Sequence, residues 1–241
     1  MRIAVLADIH GNLEAFQAVL ADIDRADIDD ILSLGDNIGY GPDSEPVMAL
    51  LRDRRIPSVL GNHELVIKKP GFYKWFNPTV RETLQKTAAA LSAENIQAIC
   101  DMEPFLVRHG CRFVHGFPPK SPLLYLFQAS EKKQRRVFSR IGERLCFIGH
   151  THDLGLVAFD GDHLRYLPLP EGITRLDADR RYIVNIGSVG QPRDGDNRAK
   201  YVIRDTAEDT LETRFIPYDI ESVVKKILAA GYPGYFARRL R

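Results

Sequence analysis

The sequence of 241 residues predicts an α/β fold. Three observations carry that expectation: short apolar runs without polar alternation, stretches of helical period directly after the first two runs, and polar clusters where the runs stop. An unalternated run suits a strand covered on both faces of its sheet. A 3.6-residue period following it suits the strand–loop–helix unit of α/β proteins.

Ile3-Ala4-Val5-Leu6-Ala7 is the first run, ending at Asp8-Ile9-His10-Gly11-Asn12. Leu13, Phe16, Val19, Leu20 and Ile23 then recur at helical spacing, with Asn12 placed to cap the helix. The next unit repeats the pattern: a strand from Ile31 to Leu34, the loop Gly35-Asp36-Asn37-Ile38-Gly39-Tyr40-Gly41-Pro42, and a helix from about Ser44. Ser58-Val59-Leu60 reads as a third short strand, followed at once by Gly61-Asn62-His63-Glu64. Residues 65 to about 104 read as a small helical insertion, one helix starting at Asn77-Pro78 and a second running from Ser92 to about Asp101. Its aromatic residues Phe72, Tyr73, Trp75 and Phe76 suit either hydrophobic packing or the lining of a pocket.

A hairpin around His109-Gly110 leads into Arg112-Phe113-Val114 and His115-Gly116. A prolyl loop and a helix near 130 to 142 precede Leu145-Cys146-Phe147-Ile148, which ends at Gly149-His150-Thr151-His152. The remainder alternates β-prone runs with turns, at Leu154 to Phe159, Leu164 to Leu167, Tyr182 to Asn185, Tyr201 to Arg204 and Leu211 to Ile216, before a helix from about Ile220 to Ala230. No repeat, low-complexity tract or linker interrupts residues 1–241, so a single domain is expected.

Composition narrows the class. A chain 44% hydrophobic and 27% charged is that of a globular protein with room for a core, and no apolar run approaches the 18 or so residues of a membrane span. The net charge of +1 supplies no broad positive field, so nucleic acid is not an expected partner. Basic residues do cluster at Lys132, Lys133, Arg135, Arg136, Arg140 and Arg144, and again at Arg238, Arg239 and Arg241, as solvated faces or as contacts for an anionic substrate. Cys100, Cys111 and Cys146 lack the spacing of a disulfide framework or a thiolate zinc site. Met1-Arg2-Ile3 enters a strand directly, with no signal-peptide layout, and the chain reads as cytoplasmic.

The informative regularity is positional. Five apolar runs end in polar clusters: Asp8 and His10, Asp36, Asn62 and His63, His115, and His150 with His152. Ligand sites of open α/β sheets lie beyond the carboxyl ends of their strands, so neighbouring strands would bring these side chains to one edge. An Asp after a strand is ordinarily a turn residue, and a lone His ordinarily packs; the joint arrangement points to a site. Asp8, His10, Asp36, Asn62, His115, His150 and His152 offer nitrogen and oxygen without sulfur, which suits Mn, Fe, Zn, Co or Ni. Seven ligands exceed one tetrahedral zinc, and a two-metal site sharing Asp36 fits the count.

These motifs, in this order over residues 5 to 152, resemble those of the calcineurin-like metallophosphoesterases: Asp8-Ile9-His10-Gly11-Asn12, Gly35-Asp36, Gly61-Asn62-His63-Glu64, Val114-His115-Gly116 and Gly149-His150-Thr151-His152. The resemblance implies a four-layer α/β/β/α sandwich of two mixed β-sheets flanked by helices. It implies Asp8, His10 and His152 on one metal, Asn62, His115 and His150 on the other, and Asp36 between them, with Mn the foremost metal. Two such ions, roughly 3.5 to 4 Å apart, hold a water that loses a proton near neutral pH and attacks phosphorus. His63 then binds the phosphate or protonates the leaving oxygen, and Glu64 either orients imidazoles or stands in a turn.

One departure bears on the substrate. Phosphoprotein phosphatases and dinucleoside tetraphosphate hydrolases of this family carry Asp-Arg-Gly after the bridging Asp, where the Arg clamps phosphate; here the positions read Gly39-Tyr40-Gly41. The chain therefore resembles more closely the small prokaryotic phosphodiesterase-like branch, acting on a small phosphorylated substrate such as a nucleotide. Asn185-Ile186-Gly187-Ser188 matches that branch's Gly-Ser stretch, with Ile186 where Pro is usual. Tyr40 and Arg193 are the substrate-binding candidates, Arg193 as a replacement clamp. Dinucleoside polyphosphate hydrolysis and phosphoprotein dephosphorylation are the alternatives within the family. Metal-free scaffolds of this fold lack ligands, whereas all seven positions are filled here. A zinc protease is disfavoured because Ile67 stands where HExxH needs its second His, and a deaminase because no cysteine ligands accompany a His-x-Glu.

Overall fold

The computed structural model describes residues 1–241. Its strands are β1 (Arg2–Leu6), β2 (Asp30–Ser33), β3 (Phe105–Arg108), β4 (Cys111–Val114), β5 (Leu145–Ile148), β6 (Leu154–Phe159), β7 (Leu164–Leu167), β8 (Gly172–Arg175), β9 (Arg181–Ile186), β10 (Ala199–Asp205) and β11 (Thr210–Ile216). The helices are α1 (Leu13–Ile23), α2 (Ser44–Asp53), α3 (Asn62–Lys68), α4 (Pro78–Ala90), α5 (Ala93–Asp101), α6 (Glu131–Phe138), α7 (Ile220–Ala229) and α8 (Gly234–Arg238).

The strands form two mixed sheets, a five-stranded one in the order β2-β1-β10-β11-β8 and a six-stranded one in the order β3-β4-β5-β9-β6-β7. Their facing sides share one core, in which Ile3, Val5, Leu32 and Leu34 meet Phe113, Phe147, Leu156 and Val184. The alternate side chains of β1, Ala4 and Leu6, point the other way into a core with Phe16, Val19, Met48 and Ile99 of α1, α2 and α5. This two-sided burial explains why Ile3 to Ala7 shows no polar alternation. On the far side, Cys146, Ile148 and Ile183 pack against Val137 and Phe138 of α6. The α/β/β/α layering implied by the resemblance is therefore the observed one.

Local chemistry sets the helix starts. Asn12 accepts a hydrogen bond from the Ala15 N–H at 3.1 Å, and Asn77 accepts one from Val80 at 3.0 Å with Pro78 in the first turn. Of the insertion's aromatic residues, Phe72, Tyr73 and Phe76 pack against a core built by α3, α4, α7 and α8, while Trp75 is exposed.

Three expectations need correction, and one strand has no counterpart among them. Ser58-Val59-Leu60 is not a strand: it makes one parallel bridge, Ser33 to Ser58, because Pro57 lacks an N–H and α3 begins two residues after Leu60. α6 stops at Phe138 rather than 142, its end drawn into a turn by the Arg140 and Ile141 N–H bonds to the Val137 carbonyl. Edge strand β8 was not foreseen, since half of Gly172–Arg175 is exposed and the segment carries no apolar run. The polar clusters also do not lie on one sheet edge. Asp8 and Asp36 follow strands of the first sheet, and His115 and His150 follow strands of the second, so the site straddles the seam between sheets.

Candidate metal centre

Six residues of this seam hold left-handed backbone despite their side chains: Asp8 (φ 54°), His10 (52°), Asp36 (52°), Tyr40 (58°), His150 (70°) and His152 (65°). Such a conformation costs roughly 1–3 kcal/mol per residue and persists only where the surroundings over-determine it. Here they do. The His10 N–H donates to the Asp36 carbonyl at 2.9 Å, the Gly41 N–H donates to the His10 carbonyl at 2.8 Å, and the His150 N–H donates to Asp8 Oδ2 at 2.9 Å. The Asp8 carbonyl accepts from the Ser188 hydroxyl at 2.8 Å and from the Gly190 N–H at 2.9 Å. The Gly-Ser stretch after β9 thus serves to fix Asp8.

Glu64 does something other than either reading of its sequence position. Buried in α3, its carboxylate accepts from the backbone N–H groups of Asp36 (2.8 Å), Asn37 (2.7 Å), Ile38 (3.3 Å) and Gly61 (3.1 Å), clamping the loop that carries Asp36 to the start of α3. Gly61 must be glycine for this approach, because a Cβ there would overlap Asp36 and the Glu64 carboxylate.

The side chains converge. His10 Nδ1 donates to the Ile38 carbonyl at 3.1 Å and His152 Nδ1 to the Gln191 carbonyl at 2.5 Å, since only an N–H can satisfy a carbonyl oxygen. Their Nε2 atoms therefore carry lone pairs, and these face each other at 3.1 Å beside Asp8 Oδ1, which lies 3.7 and 3.2 Å away and has no hydrogen-bond donor. The second lobe has the same backing by carbonyls. His115 Nδ1 is committed to the Leu34 carbonyl at 2.9 Å and His150 Nε2 to the Leu123 carbonyl at 3.3 Å. Their remaining nitrogens stand 3.1 Å apart, with Asn62 Oδ1 2.9 Å from His115 Nε2. Asp36 Oδ2 lies between the lobes, 3.7 Å from His10 Nε2 and 3.4 Å from His115 Nε2. Facing lone pairs repel, and imidazoles whose outer N–H is tied to a carbonyl are oriented as metal ligands are. Nitrogen and oxygen donors without sulfur suit a first-row transition ion, so the residues present fit such a group. Asp8, His10 and His152 form one buried cluster of metal-binding type, and Asp36, His115 and His150 form another.

Burial dominates the electrostatics. It drives His63 and His150 down to about 3 and His152 to about 4, outweighing the nearby carboxylates. Burial alone would raise Asp36, but the His115 and His63 imidazoles hold its carboxyl well below the usual range. Asp8 behaves likewise, with burial opposed chiefly by His152. For His115 burial is itself overcome, and the Asp36 carboxylate lifts the ring to about 9. Two buried carboxylates thus hold positive charge at the centre.

Every residue foreseen as a ligand therefore stands in this centre, and the two foreseen substrate contacts stand around it. The Tyr40 ring lies edge-on to His10 at 4.6 Å and beside His63 at 4.8 Å. Arg193 is exposed, its guanidinium donating to Gln191 Oε1 at 2.9 Å and its backbone N–H to the His152 carbonyl at 3.2 Å. His63 differs from the other four imidazoles of the site. Its Nε2 is 3.9 Å from Asp36 Oδ2, yet no carbonyl fixes its tautomer and its buried Nδ1 has no partner. It also forms a third potential metal cluster with His10 and Asp36. Tyr125 escaped the sequence reading: its ring stacks on His150 at 3.8 Å and 11°, from a loop with no motif to mark it. Phe76, edge-on to His63 at 5.3 Å, makes the insertion part of the site wall.

Comparison with known proteins bears on the family and the fold. The family model described as the calcineurin-like phosphoesterase superfamily domain matches residues 1–209. An uncharacterized protein of Methanocaldococcus jannaschii is 35% identical over 243 residues, spanning 99% of this chain and 96% of that one. The crystal structure of a metallophosphoesterase from Sphaerobacter thermophilus superposes with a TM-score of 0.85 at 32% identity, covering 100% of this chain and 98% of that one. A hypothetical protein from Pyrococcus horikoshii OT3 shares the fold at a TM-score of 0.81 and 17% identity, with 99% and 97% of the two chains covered.

Proposed function

Because the chain belongs to the calcineurin-like phosphoesterase superfamily, we propose that it hydrolyses a small phosphodiester or phosphomonoester at a dinuclear metal centre. The observation that carries this reading is the convergence of imidazole nitrogens from four rings on Asp8, Asn62 and Asp36, each ring tied from behind by a backbone carbonyl. Asp8, His10 and His152 would hold one ion, Asn62, His115 and His150 the other, and Asp36 both, with manganese the first candidate. Two such ions supply Lewis acidity toward the phosphoryl oxygens and an activated water.

The protein's own groups do the rest. The left-handed turns at Asp8, Asp36 and His150 keep the donors aimed inward before any substrate arrives, so little reorganisation is left for the reaction. His63 has nitrogen capacity that no protein group uses, which suits its ring N–H to donate to a phosphoryl oxygen; returning a proton to the departing oxygen requires the charge of a bound phosphate to raise a ring that burial holds at about 3. Tyr40 occupies the place of the arginine clamp of the phosphoprotein branch and presents a phenol beside His10 and His63. Arg193 offers the nearby positive charge. The family suggests a small phosphorylated compound as substrate.

Protein stripped of metal by chelation is expected to hydrolyse bis(p-nitrophenyl) phosphate or p-nitrophenyl phosphate only after Mn²⁺ is restored. Full activity in excess chelator would overturn the dinuclear reading, and inactivity on both esters with every metal would favour a non-catalytic scaffold.

A further inference from the structure

Next to His152 the chain builds a second, quite different chamber. The Gln191 carbonyl accepts from His152 Nδ1 at 2.5 Å, and the two residues that follow, Pro192 and Arg193, line an open cavity of about 650 Å³. That volume lies in the usual range for small-molecule sites, about 300–1,000 Å³. Its remaining walls are Gly195, Asp196, Asn197, Arg198, Arg239 and Arg241, with no hydrophobic side chain among them.

Four guanidinium groups around one cavity, against a single lining carboxylate, is an excess of positive charge. The pairing of these groups sharpens the point. Arg198 is neutralised by Asp196 at 2.6 Å and Glu171 at 3.2 Å, and Arg241 by Glu221 at 2.7 Å. Arg193 bonds only the neutral Gln191 amide, and Arg239 has no carboxylate partner, resting 5.5 Å over the Tyr235 ring. Asp194, the other acid of this loop, is taken by the buried Lys200 ammonium at 2.8 Å, which also donates to the Asp196 carbonyl at 2.5 Å and the Arg198 carbonyl at 3.1 Å. A fully buried lysine thus fastens the loop from below, so the wall carrying Arg193 and Arg198 is a fixed one.

The two unpaired arginines arrive from different parts of the chain, and each is tied to the centre. Arg193 is linked through its backbone to His152. Arg239 directly follows α8, whose Phe236 ring lies edge-on to Tyr40 at 4.9 Å, and Tyr40 in turn abuts His10 and His63. Planar forks without a carboxylate, close enough to the centre for both charges to act on Tyr40 and Tyr125, are suited to bidentate capture of phosphate.

We infer that this cavity is a second anion subsite, in which Arg193 and Arg239 hold a further phosphate of a substrate whose scissile phosphoester or phosphoanhydride bond lies at the metal centre, where water adds to phosphorus and the alcohol or phosphate leaves. The proposal rests on the phosphoester reading and narrows it to substrates bearing at least two phosphate groups, such as a nucleotide with a pyrophosphate link or a bisphosphorylated compound. Arg239 is a specificity residue in this account, exposed and outside the metal centre.

The test has two arms on folded, full-length protein. In the first, inorganic pyrophosphate is titrated calorimetrically into metal-free protein, where no cation can be chelated. Wild type is expected to bind it and Arg239→Gln to bind at least tenfold more weakly; no binding by wild type, or equal binding by both, overturns the subsite. In the second, the Mn²⁺-loaded proteins are compared on ADP and on bis(p-nitrophenyl) phosphate, which has one anionic phosphate. The ratio of kcat/KM for ADP to that for the aryl diester is expected to fall at least tenfold in Arg239→Gln, and an unaltered ratio, or no ADP turnover by wild type that cleaves the diester, overturns the substrate role. Pyrophosphate binding by a wild type inert toward both esters would instead overturn the phosphoester reading and leave an anion site without it.

Discussion

Asp36→Asn is expected to lower turnover of bis(p-nitrophenyl) phosphate by roughly 10³-fold or more, because the lost electrostatic stabilisation amounts to several kcal/mol and each factor of ten corresponds to about 1.4 kcal/mol. The substitution is nearly isosteric, so the loss is one of charge. Asp36 Oδ1 accepts from the His63 N–H at 2.9 Å, a bond the Asn carbonyl oxygen can keep. Oδ2 faces the Nε2 atoms of His10 and His115, and an amide NH₂ there offers no negative charge and opposes a cation. The metal-free variant should also melt below wild type at neutral pH, since the carboxylate that holds the His115 ring protonated has been removed from a buried pair. Undiminished turnover would remove Asp36 from the role assigned to it.

His63→Ala is expected to lower kcat by about 10²- to 10⁴-fold, the usual contribution of a positioned proton-transfer group, while metal content measured by elemental analysis stays at the wild-type level. The distinction matters because His63 could complete a cluster with His10 and Asp36. Its freedom from any backbone carbonyl argues for substrate contact, as the four rings assigned to metal are all tied from behind. If it protonates the leaving oxygen, the loss should be larger for an alkyl ester than for a p-nitrophenyl ester, whose leaving group needs no acid. Loss of a metal ion from the variant would make His63 a ligand instead.

Much of this centre was legible because its chemistry interrupts strong patterns. Asp8, Asp36, His115 and His150 each follow an apolar run, and a run buried on both faces is hard to mistake. Asn12 was readable as a cap because capping is a local matter. What the sequence did not disclose depends on contacts between distant segments. Glu64 sits in a motif, yet its role is set by the N–H groups of a loop about thirty residues earlier. Tyr125 stacks on His150 only because the prolyl loop folds back over β5, and β8 is an exposed edge strand whose composition resembles a loop's. Ser58 to Leu60 shows the opposite error, an apolar stretch too short to form a ladder before α3 begins. The left-handed turns under the ligands are invisible too, since Asp and His reach that region only when the surrounding fold holds them there.

The central claim is that seven residues gathered at the seam between the sheets hold two ions around one shared carboxylate. Anomalous diffraction from crystals of the Mn²⁺-loaded protein tests it most directly. The account predicts two manganese peaks roughly 3.5–4 Å apart, one among Asp8, His10 and His152, the other among Asn62, His115 and His150, with Asp36 Oδ2 between them. A single peak, or a second one outside this centre, would contradict it.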